Sequence, residues 1–144
     1  MAFDGHLIRL RLPSTFELLD IVQLLSDRLS AMAGLDEDAT HWVSVAVRES
    51  VINAIKHGNR QDAAKRVTVE FGLIPNGTAQ EFQVAVMDEG EGFEPEEIAN
   101  PLDPANVLKS SGRGIFFMRS FMDDVRIERR PQGGMSVRMV KRLE

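Results

Sequence analysis

The run ESVINAIKH, Glu49 to His57, gathers a carboxylate, a carboxamide, an ammonium and an imidazole in nine residues. On a helix Glu49 and Asn53 share one face, a turn apart, because residues four apart stack. Lys56 continues that stripe and His57 lies beside it. Such a set suits phosphate chemistry. Glu49 could take a proton from a hydroxyl. The Asn53 side-chain oxygen could ligate magnesium, with phosphates and waters completing an octahedron. Lys56 could neutralise phosphate charge. A structural reading stands beside this one: a buried carboxylate is costly unless paired, so Glu49 could pair with Lys56 or Arg48 and Asn53 could be a satisfied core amide. The helix alone leaves both open.

A second group is QVAVMDEGEGF, where a strand ends in Asp88 and Gly90 and Gly92 follow. An ionised Asp only accepts hydrogen bonds, so Asp88 could bind an exocyclic amine such as that of adenine. Guanine carries a carbonyl there, so the same group would select ATP over GTP. The glycines allow close approach of a ligand to the main chain. A plain Asp-Gly turn is the alternative. An EF-hand is excluded, because Gly90 falls where an oxygen ligand is needed. A third group is KSSGRGIFFMRSFMDDV. Its small residues, Ser111, Gly112 and Gly114 among them, lead into a helix N-terminus, where free N–H groups attract anions. Lys109 and Arg113 add charge. An ordinary glycine-rich loop would look the same. It is neither a Walker A loop nor a Rossmann fingerprint.

The elements that must hold these groups follow from periodicity. His6 to Leu12 alternates as a strand and Pro13 ends it. Ser14 or Thr15 caps a helix over about Phe16 to Met32, with Glu17 placed for a capping box and Gly34 as the stop. Asp36 or Asp38 caps a second helix that ends near Gly58 and is apolar on most sides, as a buried helix is. Strands Arg66 to Ile74 and Glu81 to Met87 flank the turn Pro75-Asn76-Gly77. Glu94 to Ala99 reads as a helical turn, Asn100 to Gly112 as a mobile loop, and Ile115 to Met122 as a helix. Val125 to Arg129 and Ser136 to Lys141 form a final hairpin. This order predicts an α+β fold: a two-layer sandwich with a mostly antiparallel, mixed sheet and helices packed on one face.

Composition narrows the function. A chain of 144 residues, 43% apolar, fits one domain spanning 1–144. With no cysteine, thiolate zinc sites, disulfides and cysteine nucleophiles are excluded. The net charge of -5 argues against direct nucleic-acid binding, which needs clustered Lys and Arg. The locally basic segment from Arg126 to Arg142 reads as a solvated strand face. No signal layout is present and no apolar run approaches the roughly 18 to 20 residues that cross a bilayer. The expectation is a soluble, cytoplasmic protein without a membrane partner.

Taken in order, E-x-x-x-N-A-x-K-H on a helix, D-x-G-x-G-F after a strand, and G-x-G opening a helix resemble the N, G1 and G2 boxes of Bergerat-fold (GHKL) ATPases. The resemblance covers about Thr40 to Leu143. Within that superfamily ESVINAIKHGN, FMDDVRIERRP and the short length are similar to anti-sigma-factor serine/threonine kinases of the SpoIIAB and RsbW type. Histidine kinases share the boxes but carry an upstream dimerising helix with a phosphorylatable His, for which this length leaves no room.

The resemblance implies ATP and Mg2+ as cofactors, Glu49 as the base for a substrate serine, Asn53 as the magnesium ligand and Lys56 on the β- or γ-phosphate, with His57 beside it. It puts Asp88 on the adenine amine, Gly90 and Gly92 along the adenine pocket, and Asn100 to Ser111 in an ATP lid. Lys109 and Ser111 belong to the phosphate side, and Gly112, Arg113 and Gly114 hold phosphate oxygens. It implies a homodimer that binds a sigma factor and phosphorylates a STAS-domain anti-anti-sigma protein, regulating transcription. Two positions depart from the pattern. Arg113 stands where Met or Leu is usual between the lid glycines. Gly134-Met135 replaces the usual Gly-Thr, whose Thr helps bind adenine, and Ser136 should point to the other face. Two other readings are a non-catalytic nucleotide-gated module that sequesters a partner, and a simple ATP hydrolase.

Overall fold

The computed structural model describes residues 6–77, 79–91 and 118–143. Strand β1 (Leu7–Pro13) alternates as its sequence requires, with Ile8, Leu10 and Leu12 the more buried and Leu7, Arg9 and Arg11 exposed. The helix does not begin directly after Pro13. The Thr15 hydroxyl accepts the Glu17 N–H at 3.4 Å and opens a 3₁₀ turn, Phe16–Leu18, which leads into α1 (Leu19–Ala33). Ser14, the other candidate cap, is diverted: its hydroxyl donates to the Lys65 carbonyl at 2.8 Å.

Gly34 stops α1 in a left-handed conformation, φ 97°, and the N–H groups of Gly34 and Leu35 return to the Ala31 and Ser30 carbonyls. Asp36 caps α2 (Glu37–Asn53) by accepting the Ala39 N–H at 2.8 Å. The expected helix does reach Gly58, but its pitch changes after Asn53. Residues Ala54–Gly58 form a π-turn, and the Asn59 N–H closes on the Ala54 carbonyl at 2.7 Å.

Four more strands complete the sheet: β2 (Arg66–Asn76), β3 (Ala79–Met87), β4 (Asp124–Arg129) and β5 (Met135–Leu143). Their order is β1-β2-β3-β5-β4. All four pairings are antiparallel, so among the described strands no parallel pair gives the mixed character expected. Of the helix expected over Ile115 to Met122, residues 118–121 are described and helical. The turn Glu94 to Ala99 and the loop Asn100 to Gly112 lie outside the described residues.

The two layers meet through one apolar face of the sheet. Val67, Val69, Phe71 and Leu73 of β2 and Phe82, Val84 and Val86 of β3 are buried there with Val43, Val47 and Val51 of α2. Each such side chain contributes about 1.5–3 kcal/mol of burial. The opposite face carries cross-strand ion pairs such as Arg9–Glu70 and Arg142–Glu81. What matters for the site is that β5 is inserted between β3 and β4. That insertion sets the end of β3, where Asp88 lies, against the first residue of β5.

Candidate functional site

Asp88 follows the last residue of β3 and is only 5% exposed. Main chain holds it on three sides. Its Oδ1 accepts the Gly90 N–H at 3.0 Å and the Met135 N–H at 3.1 Å. Its own N–H donates to the Met135 carbonyl at 3.0 Å, and its carbonyl accepts the Arg130 guanidinium at 2.6 Å. No donor among the described residues reaches Oδ2. Burial pushes the carboxyl above its usual range, and the Gly90 and Met135 N–H groups, then Arg130 and Lys65, oppose that shift without cancelling it.

Glycines make this confinement possible. A Cβ on Gly58 would overlap the Asp88 carboxylate, one on Gly90 would overlap the Gly58 carbonyl, and one on Gly134 would overlap the Asp88 carbonyl. Gly134 also sits at φ 85°, where other residues are strained.

The C-terminal end of α2 forms the facing wall. Asn53, His57 and Gly58 line a cavity together with Asp88, Met118 and Met135. Ser50, Asn53, Ala54 and His57 follow the i, i+3, i+4, i+7 spacing of one helix face and Gly58 adjoins it, whereas Lys56 is exposed and is not part of the wall. His57 is held below its usual pKa by partial burial and then by the neighbouring Lys56 charge, so its imidazole is neutral at neutral pH.

Glu49 is half-buried one turn before Asn53 and does not line the cavity. Neither structural pairing considered for it forms among the described residues. The Arg48 guanidinium instead donates to Gln23 at 3.3 Å, and nothing described pairs with the Glu49 carboxylate.

The rest of the wall is apolar apart from Ser50: Ala54, Val86, Ile127, Val137 and the two methionines. The Ser50 hydroxyl donates to the sulfurs of Met118, at 3.2 Å, and Met139, at 3.5 Å. Met135 contributes its backbone N–H to Asp88 and its side chain to the wall, while Ser136 does not line the cavity, as strand alternation requires. An acceptor facing a flat-sided apolar space suits a planar heterocycle that carries an amine. Gly92, Lys109, Ser111, Gly112, Arg113 and Gly114 lie outside the described residues.

Sequence reasoning took Gly58 only as a helix stop and gave Asn59 no role. For Gly58 the available signal was a glycine one residue beyond a polar stripe. For Asn59 there was none, since its contacts are with distant strands.

Comparisons with known proteins agree with this fold. The family model described as the histidine kinase-like ATPase domain matches residues 12–141. The chain is 27% identical to a serine-protein kinase RsbW of Bacillus subtilis, covering 99% of this chain and 89% of that protein. It is 28% identical to a serine-protein kinase RsbW of Staphylococcus epidermidis, covering 95% and 87%. A crystal structure of the RsbU and RsbW domains of a Mycobacterium tuberculosis protein matches with a TM-score of 0.66 at 18% identity. That match covers 96% of this chain and 33% of the solved one, and it shows likeness of fold.

Gly58→Ala drives a methyl group into the Asp88 carboxylate. Urea unfolding is expected to show a loss of about 1–3 kcal/mol, as for overpacking of a tight core. An unchanged midpoint would mean that the carboxylate can move aside.

Proposed function

The chain belongs to the histidine kinase-like ATPase domain family, and we propose that within it the protein is an ATP-dependent protein-serine kinase and anti-sigma factor. Its substrate in this reading is a STAS-domain antagonist, its other partner a sigma factor, and its setting the cytoplasm. The observation that carries the nucleotide part is the buried Asp88, which lines a largely apolar cavity together with Asn53. The activity named for the relatives supports the kinase part. No helix among the described residues is long and apolar enough to cross a membrane.

In this reading adenine enters the cavity and its exocyclic amine donates to Asp88. Asn53 would hold Mg2+, which would supply charge neutralisation for the phosphates. Glu49, a turn away and free of other partners among the described residues, takes the serine proton as the hydroxyl attacks the γ-phosphoryl group. The products are phosphoserine and ADP. His57 stays neutral beside the cavity. Gly90 and Gly92 let the nucleotide approach the main chain. Lys56 is left to phosphate projecting beyond the wall, as are Lys109, Ser111, Gly112, Arg113 and Gly114.

A homodimer is supported by α1. Leu24 is 71% exposed and Ile21 51%, Arg28 follows Leu24 by four residues on the same face of α1, and the exposed Glu17 lies in the 3₁₀ turn that precedes it. In an antiparallel contact of two such helices Ile21 meets the partner's Leu24, and Glu17 meets the partner's Arg28. Such a surface is self-complementary, as a two-fold interface must be. Leu24→Asp is therefore expected to yield a monomer by light scattering; an unchanged mass would refute this interface.

With γ-labelled ATP, magnesium and host lysate, the wild type should label one small protein, and Glu49→Ala should bind ATP but label none. Equal labelling by both would sink the base assignment. Bound ATP without any label would favour the nucleotide-gated binding module, a reading that Met135 in the Thr position also favours. Free labelled phosphate would favour a hydrolase.

The raised pKa of Asp88 sets a pH dependence. Protonation favours the folded state here, a contribution that is full below the ordinary carboxylate range and fades as pH rises through the raised value. Adenine recognition has the opposite sign, because it uses the ionised acceptor. ATP affinity by calorimetry should fall on mild acidification, before an ordinary carboxylate would titrate. Asp88→Asn should bind ATP poorly at every pH; tight, pH-independent binding by that variant would refute the adenine role.

A further inference from the structure

Asn59 is 1% exposed and does not line the cavity, yet its carboxamide is fully engaged at the end of the sheet that carries the site. Its Nδ2 donates to the Ser14 hydroxyl at 2.7 Å and to the Arg66 carbonyl at 2.9 Å. Its Oδ1 accepts the N–H of Glu89, the residue after Asp88, at 2.8 Å. Ser14 passes the chain on to the Lys65 carbonyl at 2.8 Å. One side chain thereby ties the exit of β1, the entry of β2 and the loop leaving β3.

The backbone around Asn59 is under constraint as well. Its N–H closes the π-turn on Ala54, and the Gln61 N–H closes on the Ile55 carbonyl at 2.7 Å. Arg60 and Gln61 follow in left-handed conformations, φ 52° and 58°, which non-glycine residues seldom adopt. Strain of that kind persists only where surrounding contacts over-determine it. Here the surrounding contacts bind the loop of Asp88. The Gly58 carbonyl packs against Gly90, and the Glu89 carboxylate accepts the Arg66 N–H and lies 3.5 Å from the Arg11 guanidinium.

We propose that Asn59 is a positioning residue for base selection: through Glu89 it fixes the height of the Asp88 carboxylate against the π-turn, so that the cavity discriminates an amine-bearing purine from a carbonyl-bearing one. The physical argument is one of tolerance. Asp88 is anchored to β5 through Met135 on one side. Without a second anchor the loop can rotate about that hinge, and an acceptor that moves by a fraction of an ångström, or picks up a proton, no longer rejects the guanine carbonyl. Asn59 supplies such an anchor through the Glu89 N–H, beside the bond from the Arg66 N–H to the Glu89 carboxylate. A group acting only on overall stability would not alter the choice between two purines of equal charge.

This assignment rests on the adenine reading of Asp88, and the test separates the two. ATP and GTP affinities are measured by calorimetry for the wild type, Asn59→Ala, Ser14→Ala and Leu29→Ala, each with its thermal midpoint. Leu29 is a core residue of α1 outside the cavity wall, so its variant loses stability without touching the loop. The wild type and Leu29→Ala should share one ATP preference. Asn59→Ala should lose about tenfold of it, as expected for one lost buried hydrogen bond. Ser14→Ala, which keeps the bond to Glu89 but removes one anchor of the carboxamide, should lose a smaller part; it carries the test if Asn59→Ala does not fold. A wild-type preference retained by both loop variants, or lost equally by Leu29→Ala, overturns the positioning role and leaves the adenine reading intact. No preference in the wild type overturns both.

Discussion

The site is organised around a carboxylate that has been taken out of water. Burying Asp88 is unfavourable unless its lone pairs are met, and an unpaired buried charge would shift to its neutral form. Two main-chain N–H groups meet Oδ1, and an arginine steadies the carbonyl of the same residue. One oxygen is thereby held rigidly, and the residue lines the cavity. A preorganised acceptor of this kind discriminates between ligands, because a ligand without the matching donor leaves it unsatisfied. The glycines at 58, 90 and 134 follow from that requirement, since any side chain there would occupy the space of the carboxylate or of the backbone that holds it.

The second helix serves the core and the site with one sequence. Its Val43, Val47 and Val51 are buried against the sheet, which fixes the helix axis. With the axis fixed, the face that carries Ser50, Asn53 and His57 is turned to the cavity, while Glu49 and Lys56 stay outside the wall. The helix ends in a π-turn, and local departures from α-helical pitch recur at functional sites; here the Gly58 carbonyl packs against the loop of Asp88.

The methionines around the cavity are soft. Met118 and Met139 accept from the Ser50 hydroxyl, Met118 and Met135 line the wall, and thioethers adapt to irregular neighbours while accepting weak hydrogen bonds. Met118 begins the described helical residues 118–121, and Trp42 of α2 stacks on Phe121 there with ring centroids 3.9 Å apart. Those residues are thus packed against α2 at two places, through Met118 near the cavity and through Phe121 further along.

The sequence by itself determined what depends on local spacing. The strands appeared as alternation, the first helix stop as Gly34, and the final hairpin as two alternating runs around glycines. The fold class followed from their order, and the groups at Glu49, Asn53 and Asp88 from residue type and spacing alone. The tertiary structure decided what depends on contacts between distant segments. The insertion of β5 between β3 and β4 is a matter of pairing, and no residue near Asp88 announces that Met135 will be its partner. Ser14 could cap a helix, but a carbonyl of a remote turn and the Asn59 carboxamide compete for its hydroxyl and win. Lys56 shares the Glu49 side of the helix, and only the packing shows that this side stays outside the cavity wall. Local sequence carries turn chemistry and hydrophobic period, whereas the position of a buried polar group is set by whichever donors the packed chain brings within about 3 Å.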